Sequence, residues 1–402
     1  MRGEPLMPCS PQKARLLLKR KEAKVYQRTP FTIKLTIATG ETRQPVTLGV
    51  DSGYVNVGLS AVTAKAEVLA ADVALRDDMV KLNSERRMYR RSRRNRKTWY
   101  RKTRFLNRKK TSGWLAPSIR HKLESHLKLV DRVGSILPVS SVTVEVAAFD
   151  IQKIKNPDIS GTDYQNGEQK GHYNIREYVL YRDGHRCTNC KGKSNDPRLE
   201  AHHIESRQTG GDRPENQTTL CVTCHDKVYK GELVLHIKPS QGFKAETFMS
   251  MVRWKIVDSL REQGYLVDHT YGYLTKMSRN SLGMTKSHVN DAFVIAGGTD
   301  QARSSDTFAM LQVRKCNRKL FKGDRSHLKN TAEREIFGYR RFDNVRIGDT
   351  DGFIFGRRSA GYFDIRKMDG TKIHASAKYS DLTLLSRAST LLIDRRRARI
   401  DA

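Results

Sequence analysis

The chain has 402 residues with 75 Lys/Arg against 43 Asp/Glu, a formal net charge of +32. Self-repulsion on that scale calls for a polyanionic partner, and clustered cations on phosphates are the standard answer. No apolar run approaches the roughly 20 residues needed to cross a bilayer, and the N-terminus lacks a secretion-signal core. A cytoplasmic, nucleoid-associated location in a prokaryote is expected. In a reducing compartment the six cysteines point to metal or redox chemistry rather than to a disulfide framework.

Along the chain, residues 46–51, 55–63 and 66–75 read as three short strands whose short connections suit antiparallel hairpins. Residues 83–110 hold fourteen Lys/Arg against one acid, Glu85, with no Gly or Pro. They are expected to form one helix, basic on every face, laid along a nucleic-acid backbone. The plain alternative is a solvated basic spacer, but Met88, Trp99, Tyr100, Phe105 and Leu106 argue against a mere spacer. A helix follows Pro117, with Ile119, Leu123, Leu127, Val130 and Leu137 as its apolar face and Pro138 as its stop. Residues 139–149 read as a buried strand interrupted by Glu145.

Residues 151–174 look like a linker, as do 238–245. Between them lies a Cys/His-rich unit. Beyond them come a helix carrying Phe248, Met251, Val252, Ile256 and Leu260, a strand at 265–272, and a helix at 287–298 with His288 and Asp291. Residues 343–373 alternate apolar and polar side chains, with turns expected at Asp351-Gly352 and Asp369-Gly370. They read as a small antiparallel barrel or sheet that ends in a basic tail.

Cys187, Cys190, Cys221 and Cys224 form two CxxC pairs, the spacing of a closed tetrahedral zinc site with no position left for water. Cys9 and Cys316 read as ordinary residues. Between the pairs, His202 and His203 end a strand, a Gly210-Gly211 loop leads to Asn216, and a helix carries His225. This arrangement resembles the HNH nuclease motif. The resemblance makes His202 a metal ligand, His203 the general base, Asn216 its orienting residue and His225 a candidate second ligand. Tyr229 stands where many members place another His, so the second ligand stays open.

Asp51, Glu145 and Asp291 come from distant segments, each on an apolar element where a lone charge is expensive. Taken singly they read as a turn residue, a salt-bridge partner and a helix cap. Together they suit a carboxylate cluster for two Mg²⁺ ions and in-line phosphoryl displacement. The segments GVDSGYVNVG, VTVEVAAF and SHVNDA resemble the split RNase H-like fold of RuvC nucleases, in which the matching acids bind metal. A His placed as His288 is, three residues before Asp291, assists the nucleophile there.

With RRSRR at 90–94 and PLMP at 5–8, the order of these parts is similar to the IscB family, transposon-associated RNA-guided nucleases. The resemblance covers residues 1–300. It implies a mixed α/β fold whose RNase H-like core is split by an Arg-rich bridge helix and an inserted ββα-metal HNH domain with a zinc site, followed by a small β-rich C-terminal region. The implied boundaries are an N-terminal PLMP-type module at 1–45, RuvC parts at 46–80, 113–150 and 245–302, the bridge helix at 81–112 and the HNH domain at 175–237. Residues 303–402 would contact RNA and the DNA motif that flanks the target. An omega guide RNA and a double-stranded DNA target are the implied partners of a monomeric protein. The HNH site would cut the guide-paired strand and the RuvC site the displaced strand, each with Mg²⁺, while Zn²⁺ is structural. Arg86, Arg87, Arg90, Arg91, Arg93, Arg94, Arg96, Lys97, Arg101 and Arg104 are the expected nucleic-acid contacts. The competing readings are a guide-independent HNH/RuvC-type DNA nuclease or nickase, and an RNA-binding scaffold with degenerate sites.

Overall fold

A computed structural model describes residues 3–40, 42–97, 113–146, 172, 174–205, 213–239, 244–314, 327 and 332–397. In chain order its elements are α1 (Pro11–Lys19), β1 (Ala23–Gln27), β2 (Thr32–Leu35), β3 (Thr47–Ser52), β4 (Asn56–Val62), β5 (Glu67–Ala74), α2 (Met79–Lys97), α3 (Pro117–Gly134) and β6 (Ser141–Val146). Then come α4 (Ile175–Arg182), β7 (Leu199–His203), β8 (Gln217–Cys221), α5 (Val222–Lys230), α6 (Lys244–Glu262), β9 (Leu266–Tyr271), α7 (Gly272–Ser281) and α8 (His288–Ile295). The last strands are β10 (Asp306–Gln312), β11 (Asn344–Ile347), β12 (Thr350–Arg357), β13 (Tyr362–Arg366), β14 (Lys372–Lys378), β15 (Leu382–Ser386) and β16 (Leu391–Arg397). No helix among the described residues is long and apolar enough to cross a membrane.

The chain divides into two compact units, one formed by 1–147 with 249–402 and the other by 148–248. The first is built on a seven-stranded sheet of order β16-β10-β5-β4-β3-β6-β9. Strands β3, β4 and β5 run antiparallel as a meander, and β6 lies parallel to β3 with β9 parallel to β6. Strands β3 and β4 are buried almost throughout, so neither shows an alternation of buried and exposed positions.

Helix α8 lies on this sheet with its backbone against two glycines. A Cβ on Gly49 would sit 2.0 Å from the Ala292 carbonyl oxygen, and one on Gly58 would sit 1.8 Å from that of His288. Any side chain at either position would lift α8, and His288 and Asp291 with it, off the sheet.

Helix α3 corrects the expected burial. Its period is helical, but the fully buried face carries Lys122, Ser125, His126, Leu129, Val130 and Val133, while Ile119, Leu123 and Leu127 are half-buried. The polar members are tolerated because their donors are satisfied by backbone carbonyls, as described below.

Helix α2 covers the first part of the expected basic helix, and residues 98–112 lie outside the described residues. Arg86, Arg87, Arg90, Arg91 and Arg94 are exposed, and none of the described side chains of α2 is buried. Its described side chains therefore form no core-facing stripe. Arg101 and Arg104 lie outside the described residues, as do most of the expected linker at 151–174 and the centre of that at 238–245.

Two features of the C-terminal region depart from expectation. The basic tail begins as an edge strand: β16 pairs antiparallel with β10, which pairs parallel with β5, while Asp394, Arg395 and Arg396 stay exposed and residues 398–402 lie outside the described residues. The first hairpin turns at Gly348-Asp349, with Gly348 at φ +54°, so Asp351 and Gly352 lie inside β12, opposite Arg346 and Val345. The turn at Asp369-Gly370 falls where expected, with Gly370 at φ +90°. The five-stranded antiparallel sheet β14-β13-β12-β11-β15 encloses Val345, Ile354, Phe363, Ile365, Ala377 and Leu382.

Candidate active sites

In the larger unit, β3 carries Asp51 as its penultimate residue, neighbouring β6 carries Glu145, and α8 carries His288 and Asp291. The His288 Nδ1 lies 2.6 Å from Asp51 Oδ2. Arg253 of α6 lies 3.6 Å from Glu145 Oε1, and Arg279 of α7 donates to Asp291 Oδ1 at 2.5 Å. Asp51, Asp291, Arg253 and Arg279 are all buried.

Each acid is thus taken by a different basic partner. The three carboxylates are not all within 4.8 Å of one another, a spacing that only the cysteine group described below achieves among the described residues. They nonetheless share one electrostatic site. Burial, with the neighbouring charges of Asp51 and then Asp291, pushes the Glu145 carboxyl above its ordinary range against the opposing pull of Arg253. An ionised Glu145 therefore destabilises the fold near neutral pH, and the cost is relieved by protonation or by a cation. His288 is pushed up, chiefly by its hydrogen bond to Asp51. Hard carboxylate donors on adjacent elements, one of them held against its own repulsion, fit a divalent cation.

The turn after Asp51 is held by successive carbonyls. Arg253 Nε donates to the Ser52 carbonyl at 2.9 Å, His126 Nε2 lies 3.2 Å from that of Gly53, and Lys122 Nζ donates to that of Tyr54. Lys122 also donates to the Arg76 carbonyl at 3.1 Å, and burial lowers its pKa to about 8. These bases were not singled out from the sequence. Their signal was a charge on an otherwise apolar helical face, as with Arg253 between Val252 and Ile256.

Burial also lowers the His126 pKa to about 4, against 6.5 for a free imidazole. The folded state then binds fewer protons than the unfolded state between these values, so stability is full above pH 6.5 and falls as pH drops toward 4. The linked loss is about 3 kcal/mol. A His126→Gln variant should show a flatter melting temperature across pH 6.5 to 4 than the parent, as measured by thermal denaturation.

In the smaller unit, β7 and β8 pair antiparallel, with His202 opposite Thr218 and His203 opposite Gln217, and α5 follows β8 directly. The His202 and His225 rings are 5.1 Å apart between centroids. His225 Nδ1 lies 2.9 Å from Glu200 Oε2, a residue that sequence reading missed because a lone acid on a strand carries no spacing signal. Burial, then the neighbouring His225 and His203, holds the His202 imidazole below its ordinary pKa, favouring the neutral form that can ligate a metal.

Asn216 is fully buried. Its Oδ1 accepts from the Glu205 N–H at 2.9 Å, its Nδ2 donates to the Glu205 carbonyl at 3.0 Å, and the Asn216 backbone carbonyl accepts from the Ile204 N–H at 2.8 Å. This reciprocal lock fixes the backbone immediately after His203. Tyr229 is exposed.

The sulfurs of Cys187, Cys190, Cys221 and Cys224 lie within 4.8 Å of one another. Zn–S bonds of about 2.3 Å in a tetrahedron require S···S edges of about 3.8 Å, and Cys190 Sγ is 3.8 Å from Cys221 Sγ. The cluster could bind zinc as it stands. Ser194 lowers the Cys190 pKa to about 6, while burial raises that of Cys224 to about 12. Cys9 is exposed, and Cys316 lies outside the described residues.

Comparison with known proteins finds two family matches along the chain. Residues 1–167 match the family model described as RRXRR protein, and its signature occurs here as Arg90-Arg91-Ser92-Arg93-Arg94. Residues 187–231 match the HNH endonuclease family, so the chain carries a nuclease domain that holds His202, His203, Asn216 and His225. No curated protein matches. Solved structures with local likeness include Streptococcus thermophilus Cas9 in complex with the AGGA PAM, at 15% identity over 45% of this chain and 26% of that one, TM-score 0.29. The same protein in complex with the AGAA PAM gives 14% identity over 62% of this chain and 32% of that one, TM-score 0.33. The chain thus spans about a quarter to a third of those proteins.

Proposed function

We propose that the protein is an RNA-guided DNA endonuclease of the IscB type with two metal-dependent sites. The observation that carries the reading is the gathering of Asp51, Glu145, His288 and Asp291 at one end of β3, β6 and α8. The order β5-β4-β3-β6-β9, antiparallel and then parallel, suits an RNase H-like core of the RuvC kind. The exposed Arg-rich helix and the HNH match both fall within the sequence that joins the core's parts.

In the HNH unit, His203 takes the proton of the attacking water, and Asn216 holds the backbone that presents it. His202, with His225 as second ligand, offers the metal position. In the larger unit, Asp51, Glu145 and Asp291 hold Mg²⁺, and His288 accepts a proton from the nucleophile. The bound cations supply charge stabilisation at the scissile phosphate. A guide RNA pairs with one DNA strand and carries the sequence reading. The HNH site cuts that strand and the carboxylate site cuts the displaced one. The domain limits expected from the sequence belong to the same proposal.

The guided reading is tested by sequencing RNA that co-purifies with the chain. One discrete species with a variable guide segment is expected, and random fragments would count against guidance. The basic helix carries its own test. Replacing Arg87 and Arg91 by Gln should lower RNA affinity and flatten the plot of log K against log salt by about 0.7–0.9 for each phosphate no longer neutralised. Filter binding over a salt series measures it.

A further inference from the structure

Beside the carboxylate site lies a row of aromatic rings that no catalytic role uses. Trp254 of α6 is 5.1 Å from the His269 ring, His269 is 5.7 Å from Tyr271, and Tyr271 lies nearly parallel to Tyr273 at 6.1 Å. All four are exposed, Tyr273 at 64%. His269 and Tyr271 sit on β9, one of the two edge strands of the seven-stranded sheet, and Tyr273 is the second residue of α7. Leu274 and Met277 extend the patch along α7 and are also exposed.

The row leads into the catalytic end. Between Tyr271 and Tyr273, a Cβ on Gly272 would lie 3.3 Å from Glu145 Oε1, and Thr275 of the same helix donates to the Tyr271 carbonyl at 3.4 Å. One turn on, Lys276 is exposed. Arg279 is buried beside Asp291, with its Nε lacking a hydrogen-bond partner among the described residues. An edge strand with no further strand paired to it among the described residues, bearing aromatic rings, is a liability unless something covers it. Exposed aromatic rings followed by an exposed cation, continuous with the proposed phosphodiester-cleaving site, match the way single strands are held, with bases on ring faces and phosphates on cations.

We propose that Trp254, His269, Tyr271 and Tyr273 form a stacking platform for unpaired bases of the DNA strand cut at the carboxylate site. The exposed Lys276 meets its phosphates. The inference rests on the proposed nuclease reading and adds a base-stacking subsite to it. Duplex DNA cannot use the platform, because paired bases offer no free faces. The carboxylate site is thereby selective for a strand already displaced.

Two experiments test it. In the first, the full-length protein is titrated with a single-stranded dT oligonucleotide and with an abasic oligonucleotide of equal phosphate count. Tyr273→Ser combined with Trp254→Ala should weaken dT binding about tenfold, with Tyr273→Phe close to the parent and abasic binding unchanged. No weakening on dT, or equal weakening on both oligonucleotides, overturns the platform. In the second, the complex with its RNA receives a duplex target carrying 4-thiothymidine in the displaced strand near its cut. Photocrosslinking to Tyr271 or Tyr273, with displaced-strand cleavage about tenfold slower in the double variant, is expected. Crosslinks elsewhere together with unchanged displaced-strand cleavage remove the platform while sparing the nuclease reading. A parent complex that cuts neither strand removes the nuclease reading, and the dT titration then decides the platform by itself.

Discussion

Asp51→Asn should abolish cleavage of the displaced strand and leave the paired strand cut at nearly the parental rate, while His203→Ala does the reverse. The two sites are built on separate units of the chain, with no shared catalytic side chain. Asp51 is buried and shares a 2.6 Å hydrogen bond with His288. Its amide counterpart keeps the shape but removes the negative charge that would hold a cation, and it withdraws the support that raises the His288 pKa. Loss of a general base costs about 10²–10⁴ in rate, and loss of a metal site costs at least as much. A duplex labelled on either strand reads both cuts in one reaction. Loss of both cuts in each single variant would contradict the assignment of one site to each strand.

Zinc removal should produce the next largest effect. Cys187, Cys221 and Cys224 are buried against Leu220, with Leu199, Val228, Leu233 and Leu235 packed around them. Without a cation, four sulfurs at this separation repel once ionised and leave a polar void in a small core. Structural zinc contributes on the order of 10–16 kcal/mol to such units. Strong chelation, or Cys221→Ser, should therefore unfold the 148–248 unit and stop paired-strand cleavage. The seven-stranded sheet of the other unit should keep its melting transition. Limited proteolysis shows which unit opens, and metal analysis should give one zinc per parent chain. A chelated protein with full HNH activity would exclude a structural zinc here.

The sequence announced those parts of the sites in which chemistry is tied to spacing. Two CxxC pairs and His202-His203 are legible because ligands must repeat at fixed intervals. Asp51, Glu145 and Asp291 stand out because each interrupts an apolar run. What stayed hidden depends on tertiary pairing. Residues 393–402 look like a basic tail, yet the first of them pair with β10 as an edge strand of the large sheet. Helix α7 begins at Gly272 without a side-chain cap, so the usual start signals are missing. On α3, Leu123 and Leu127 suggested the core face. The structure instead turns Lys122 and His126 inward, because the turn after Asp51 supplies carbonyls that a periodicity count cannot see. The basic partners of the acids, Arg253 and Arg279, belong to the same class of hidden contact.

The central claim is that three acids separated in sequence form one cation site. Anomalous diffraction from crystals of the full chain grown with Mn²⁺ tests it most directly. The account predicts an anomalous peak held by Asp51 together with Glu145 or Asp291. Absence of any peak at these acids, in crystals whose protein cleaves DNA with Mn²⁺ and whose carboxylates stay paired with Arg253 and Arg279, would contradict it.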